Sequence, residues 1–248
     1  MKKDFNLVQE MPTSSIAEDL TVAGITTILG SLPFIGTALA SAVKTPFEIL
    51  ARKDLEDWLR ILATAVDFLV DRTGLSYDDI MADSNFRAAV RKASQSAAET
   101  ADTNILTILA NATCHSGAWS SVEPQFQVRF MRILERFDPE HLLCLRAMHD
   151  PVWALQCLEI SDNSLPLHTL FDEYIFPGLN DSQSLGNQVL NELRNEDFLA
   201  ADYGLGAELT YDENNRMSSH IGGKFLTYCA GIKIDGFSHF NEKTAPSR

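Results

Sequence analysis

Six histidines are scattered through the chain, and the functional readings begin with the residues beside them. Arg136 and His141 stand in an R-x4-H spacing. Arginine and histidine are residue types able to stabilise negative charge and to move a proton. The plain alternative is a pair at a helix junction, because Asp138-Pro139 between them is a helix-start signal. His141 and Cys144 also share one helix face at i, i+3, and Cys114-His115 would complete a two-Cys, two-His set that zinc accepts. The spacings match no common finger or knuckle, however, and Cys144 among leucines reads as a small core residue, as do Cys157 and Cys229. No metal or cofactor is therefore expected.

Other motifs are incomplete. Gly222-Gly223-Lys224 lacks the upstream glycine and the following Ser or Thr of a phosphate loop. His149-Asp150 and the pair His168/Asp172 have no nucleophile in view, and no G-x-S-x-G, H-E-x-x-H or D-x-D-x-D-G run occurs. The expectation is a non-enzymatic protein with no small-molecule substrate.

Charge narrows the partners. The formal net charge is −14, with 14 Lys+Arg against 20 Asp+Glu up to Asp150 and 6 against 14 beyond it. Both halves repel a phosphate backbone, so nucleic acid is an unlikely partner. A hydrophobic fraction of 45% is that of a folded globular protein. The four scattered cysteines and an N-terminus without secretory-signal order fit reduced thiols in the cytoplasm.

The elements that would carry these residues are mostly helical. Residues 1–19 are polar and read as a flexible N-terminus. Residues 20–43 contain no Asp, Glu, Lys or Arg. Here Val22, Ile25, Ile28, Leu29, Leu32, Phe34, Ile35 and Leu39 alternate with Gly24, Gly30, Gly36 and small polar residues. As a helix, 24 residues reach about 36 Å, enough for a hydrocarbon core of roughly 30 Å. The glycine, serine and threonine content makes the span marginal. Pro33 disfavours helix at Leu32, so an apolar Gly-rich hairpin over 20–44 is predicted.

Thr45-Pro46-Phe47-Glu48 opens the next helix as a capping box with Pro at the first position. Its stripe of Leu55, Trp58, Leu59, Leu62, Ala65, Val66 and Leu69 runs to a stop at Gly74. The apolar segment is expected to rest on this stripe. Ser76-Tyr77-Asp78-Asp79 opens a short turn or helix. Further stripes follow at Phe86, Ala89, Val90, Ala93, Ala97, at Ile105, Leu106, Leu109, and at Phe126, Phe130, Leu134, Phe137. A polar loop is expected over 115–121, and Asp138-Pro139 and Asp150-Pro151 each start a helix.

Beyond Ile160 the pattern changes. Helices are read around 167–175 and 184–195, then short strands and tight turns over 198–215, then a helix over 219–230. This is winged-helix order, in which residues 184–195 would be the groove-reading helix and Gln183, Asn187, Gln188 and Asn191 would face base edges. Arg194 is its one cation, and no Lys or Arg lies between Arg146 and Arg194. A protein-contact role therefore suits it better than DNA reading. The fold class is thus mainly α: a helical domain over 20–160, a small winged-helix-like α+β module over 161–230, and a tail over 231–248.

Two resemblances carry these residues further. Arg136 and His141 in a helical context resemble the HEPN ribonuclease signature, although Phe137 stands where those enzymes carry a polar residue. That resemblance implies a metal-independent ribonuclease in which Arg136 and His141 of two subunits polarise a phosphate and move a proton. More of the chain is covered by a second likeness. Its parts are Leu32-Pro33-Phe34-Ile35-Gly36, Leu106-Thr107-Ile108-Leu109-Ala110-Asn111-Ala112, Phe130-Met131-Arg132-Ile133-Leu134 and Asp138-Pro139-Glu140-His141-Leu142-Leu143-Cys144-Leu145. In this order they look like the abortive-infection alpha family, and the run Met217-Ser218-Ser219-His220-Ile221-Gly222-Gly223-Lys224-Phe225-Leu226 is similar to the ending of winged-helix modules.

The family likeness implies a role in bacterial antiphage defence and assigns no catalytic residues. The leading expectation is an effector or accessory protein acting through residues 20–43, by membrane insertion or self-association, with another protein as the alternative partner. It would be cytoplasmic and reach the inner membrane on activation. The alternatives are a winged-helix regulator or protein-interaction module and the HEPN-like ribonuclease.

Overall fold

The computed structural model describes residues 46–100, 102–160, 164–212 and 215–230, with side chains described from Asp57 onward. Residues 1–45 and 231–248, with the expected N-terminus, apolar hairpin, Thr45 cap and tail, lie outside the described residues. Within them the chain is mainly helical, with one two-stranded sheet. It divides into two compact units, Phe137–Leu226 and, among the described residues, 46–136 with 227–230. The helices that open at Pro139 and Pro151, read above as part of the first domain, group with the C-terminal elements.

In the first unit, α1 (Pro46–Thr73) begins at its proline and is followed by Gly74 at φ 69, a left-handed position that glycine adopts without a Cβ penalty. Trp58, Leu62, Val66 and Leu69 are fully buried on its predicted stripe. That stripe was expected to seat residues 20–43, which lie outside the described residues. Among the described residues, helices α4 (Thr103–Cys114) and α3 (Ser84–Ala97) pack on α1, and Trp58 Nε1 donates to Ser94 Oγ at 3.0 Å.

Between α1 and α3, α2 (Tyr77–Ala82) starts with a capping box in which Asp79 N donates to Ser76 Oγ at 3.1 Å and Ser76 N donates to Asp79 Oδ2 at 3.3 Å. Asp83 caps α3 by accepting from Asn85 N and Phe86 N, both at 2.8 Å, and its other oxygen accepts from Ala118 N at 3.1 Å. Helix α4 is buried from Leu106 to its end, which makes it the centre of this unit.

The expected polar loop after α4 is partly an interior turn. His115 and Ser116 are 2% and 3% exposed. Ser116 Oγ donates to Ala112 O at 2.8 Å and meets Tyr228 Oη at 2.5 Å, so its hydroxyl is satisfied without water. Tyr228 packs on Phe130 of α5 (Pro124–Leu134) with centroids 5.6 Å apart.

The second unit starts with α6 (Pro139–His149) and α7 (Pro151–Cys157), each opening at its predicted proline. Next come β1 (Ser164–Pro166), the single turn α8 (Leu167–Thr169) and a π-helical turn (Leu170–Ile175). After these come α9 (Ser182–Asn195), β2 (Glu208–Thr210) and α10 (His220–Cys229). The strands do not form the hairpin among nearby residues that the tight turns suggested. Instead β2 pairs antiparallel with β1, Leu165 opposite Leu209, while Leu199 bridges Ser218. Both partners are distant in sequence, and local turn chemistry carries no record of them.

Candidate functional site

The junction at Arg136 and His141 is built as a helix start. Arg136 is exposed, whereas His141 is 4% exposed and stacks on Phe137 with centroids 4.5 Å apart. Asp138 N donates to His141 Nδ1 at 3.2 Å, so Nδ1 is the acceptor and the proton sits on Nε2, which faces Glu192 Oε2 at 3.0 Å. One nitrogen thus closes the first turn of α6, and the other ties it to α9. A general acid or base needs a nitrogen within reach of a substrate, and both of these face protein.

A second histidine is engaged in the same unit. His149 Nδ1 meets Ser218 Oγ at 2.7 Å, and His149 and Ser218 are 7% and 8% exposed. Burial holds the imidazole well below its ordinary range, at about 4, with Arg216 and Arg146 adding to the fall and Asp150 opposing it. Arg146 lies over the Trp153 ring at 4.6 Å. The neutral imidazole therefore fastens the end of α6 to the strand-like segment before α10, where Met217 N donates to Met148 O at 2.9 Å.

The run 217–226, singled out by resemblance, has a physical reading of its own. Ser219 Oγ donates to Asp197 O at 2.5 Å and accepts from Gly222 N at 3.0 Å, which caps α10. A Cβ on Gly222 would lie 2.4 Å from Phe198 O, so only glycine permits this approach. Phe225 stacks on Phe198 at 4.6 Å and meets Phe137 edge-on at 5.9 Å. The motif docks a helix rather than binding a phosphate.

Helix α9 places Gln183, Asn187, Gln188 and Asn191 on its exposed side, as the groove-reading hypothesis requires. Its cation is committed elsewhere. Arg194 donates to Tyr203 O at 3.0 Å and to Asn191 Oδ1 at 2.5 Å, and pairs with Asp202.

Three of the four cysteines are core residues, whereas Cys157, at the end of α7, is half-buried. Cys114, Cys144 and Cys229 are buried, and burial pushes their thiols up, the opposite of an activated nucleophile. Among the described residues no group of three or more His, Cys, Asp or Glu could hold a metal ion, and no helix is long and apolar enough to cross a membrane. Residues Val22, Ile25, Ile28, Leu29, Leu32, Phe34, Ile35 and Leu39 lie outside that statement.

Sequence reasoning missed one feature, a surface cleft of about 670 Å³ between the π-helical turn and the start of α9. Asp172 on that turn accepts from Ser182 Oγ at 2.5 Å and from Gln183 Nε2 at 3.4 Å. The loop between carries Gly178 at φ 78 and Leu179, which is 53% exposed. The Pro177-Gly178 pair was the available turn signal; the π-helical bond from Phe176 N to Phe171 O at 2.8 Å has none.

No model of a known family, no curated protein and no solved structure matches this chain.

Proposed function

We propose that this protein is a non-enzymatic bacterial defence-type effector or accessory protein that acts by association, with residues 20–43 as its working segment. The observation that carries the reading is the run of 24 residues without an ionisable side chain directly before α1. Such a segment exchanges protein neighbours for lipid, or for a copy of itself, at little electrostatic cost. Support for a role without catalysis comes from His141 and His149, whose bonds hold helices. On activation the segment brings the protein to the inner membrane or joins copies together.

Vesicle leakage tests this reading. Wild type releases an entrapped dye, and Ile28→Asp, which puts a charge in the segment, does not; equal leakage from both, or none from wild type under any trigger, defeats it.

The antiparallel pairing of β1 with β2 around the π-helical turn and α9 favours a second reading, a winged-helix-like protein-interaction module. In its regulator form the module reads DNA, and salt-dependent duplex binding by the full chain is the result that would establish that form.

A further inference from the structure

Two helices carry charge of the opposite sign to the chain. Neither α3 nor α5 contains an Asp or Glu, while Arg87, Arg91 and Lys92 lie on the first and Arg129 and Arg132 on the second, with Arg136 just beyond its end. Arg91, Arg132 and Arg136 are exposed; Arg87, Lys92 and Arg129 are half-buried. The two helices pack together, and Lys92 Nζ meets Glu135 Oε2 at 3.1 Å where they adjoin. Arg91 is next to that pair in sequence and Arg132 is one turn from it, and neither forms an ion pair among the described residues. Arg87 Nη1 donates to Met81 O and Ala82 O, both at 2.7 Å; these acceptors are neutral, so the bonds leave its charge in place.

The carboxylates that border the face are Asp83, Glu123 and Glu135, half its number of cations. Asp83 is turned to the amides of Asn85, Phe86 and Ala118, and Glu135 to Lys92. On α5, Val128 is 56% exposed and stands one turn before Arg132, so the face offers an apolar side chain as well as cations.

From this we infer that the α3–α5 face docks on the anionic headgroups of a membrane surface. A cluster of cations on helices gains affinity for anionic lipid with each charge brought near it, and Val128 with the arginine stems suits the boundary between headgroups and acyl chains. The net charge of −14 does not cancel the attraction, because charges farther than a Debye length of about 8 Å are screened and the lipid responds to the face it meets. The choice of lipid over another polyanion rests on the role proposed for residues 20–43. They lead directly into α1, and α1 packs on α3, so the cationic face belongs to the unit that the apolar segment enters.

Vesicle flotation of the full chain with Ile28→Asp tests this, because that substitution separates docking from insertion. The chain is expected to bind mixed phosphatidylglycerol–phosphatidylcholine vesicles, to be released by added salt, and to ignore phosphatidylcholine alone. Adding Arg91→Glu and Arg132→Glu should weaken binding roughly tenfold or more, whereas Arg60→Glu, an equally exposed change on α1, should leave it within about twofold. All three changes fall on exposed side chains, so the thermal midpoints stay together. Undiminished binding by the Arg91→Glu, Arg132→Glu chain, an equal loss from Arg60→Glu, or salt-released binding to duplex DNA with none to vesicles overturns the inference. Dye release reads separately: leakage by wild type without flotation of the Ile28→Asp chain defeats the docking face alone, and flotation without leakage defeats the insertion reading alone.

Discussion

The unit built on 46–136 and the unit Phe137–Leu226 are held together in different ways. The first is a set of helices whose apolar stripes meet: Trp58, Leu62 and Leu69 from α1, Phe86 and Val90 from α3, Leu109 from α4. Most of its caps are local, those at Ser76 and Asp83 bonding residues two or three positions away, and three bonds reach further, Asp83 to Ala118 N, Trp58 to Ser94 and Ser116 to Tyr228. In the second unit, polar groups at several depths bridge distant stretches: His149 to Ser218 in the interior, His141 to Glu192 half-buried, Ser219 to Asp197 at the surface. The first arrangement loses stability through cavities, the second through a broken bond or a displaced backbone.

Substitutions separate the two modes. The largest effect is expected for Trp58→Ala, at about 3–5 kcal/mol, because the ring is fully buried and its indole N–H bond to Ser94 is lost as well. Denaturant unfolding measures it, and a loss below about 1 kcal/mol would mean that α1 is not a core helix. Gly222→Ala comes next. Helix propensity alone predicts a gain of about 1 kcal/mol, whereas the 2.4 Å approach to Phe198 O predicts a loss of about 2–3 kcal/mol, so the sign decides.

The smallest of the three effects depends on pH. His149 titrates at about 4 in the folded chain and near 6.5 unfolded, so between those values the unfolded chain binds more protons. Its contribution is complete above pH 6.5 and is lost as pH falls towards 4, by on the order of 2 kcal/mol. Unfolding of wild type and His149→Asn at pH 7 and pH 5 should show the gap between them narrowing at the lower pH; a constant gap would remove His149 as the titrating group.

Legibility in the sequence follows the same division. The starts at Pro46, Pro139 and Pro151, the stop at Gly74 and the stripes of α1, α3 and α5 were readable because caps and periodicity act within a few residues. Strand β1 was missed: three residues ending in proline carry no pattern, and the partner that makes them a strand lies beyond α9. His141 suggested chemistry because its neighbour in sequence is Arg136. Its neighbours in space, Glu192 and the Asp138 amide, give it a holding role instead. Residues 20–43, the segment with the clearest compositional signal, lie outside the described residues.

The proposed function, in its membrane form, requires that this segment, and not a loosened fold, act on lipid. Dye release from vesicles compared across wild type, Ile28→Asp and Trp58→Ala tests it most directly. Release by wild type and by the destabilised Trp58→Ala, with none from Ile28→Asp, is the predicted outcome. Release by Ile28→Asp equal to that of wild type would contradict the account.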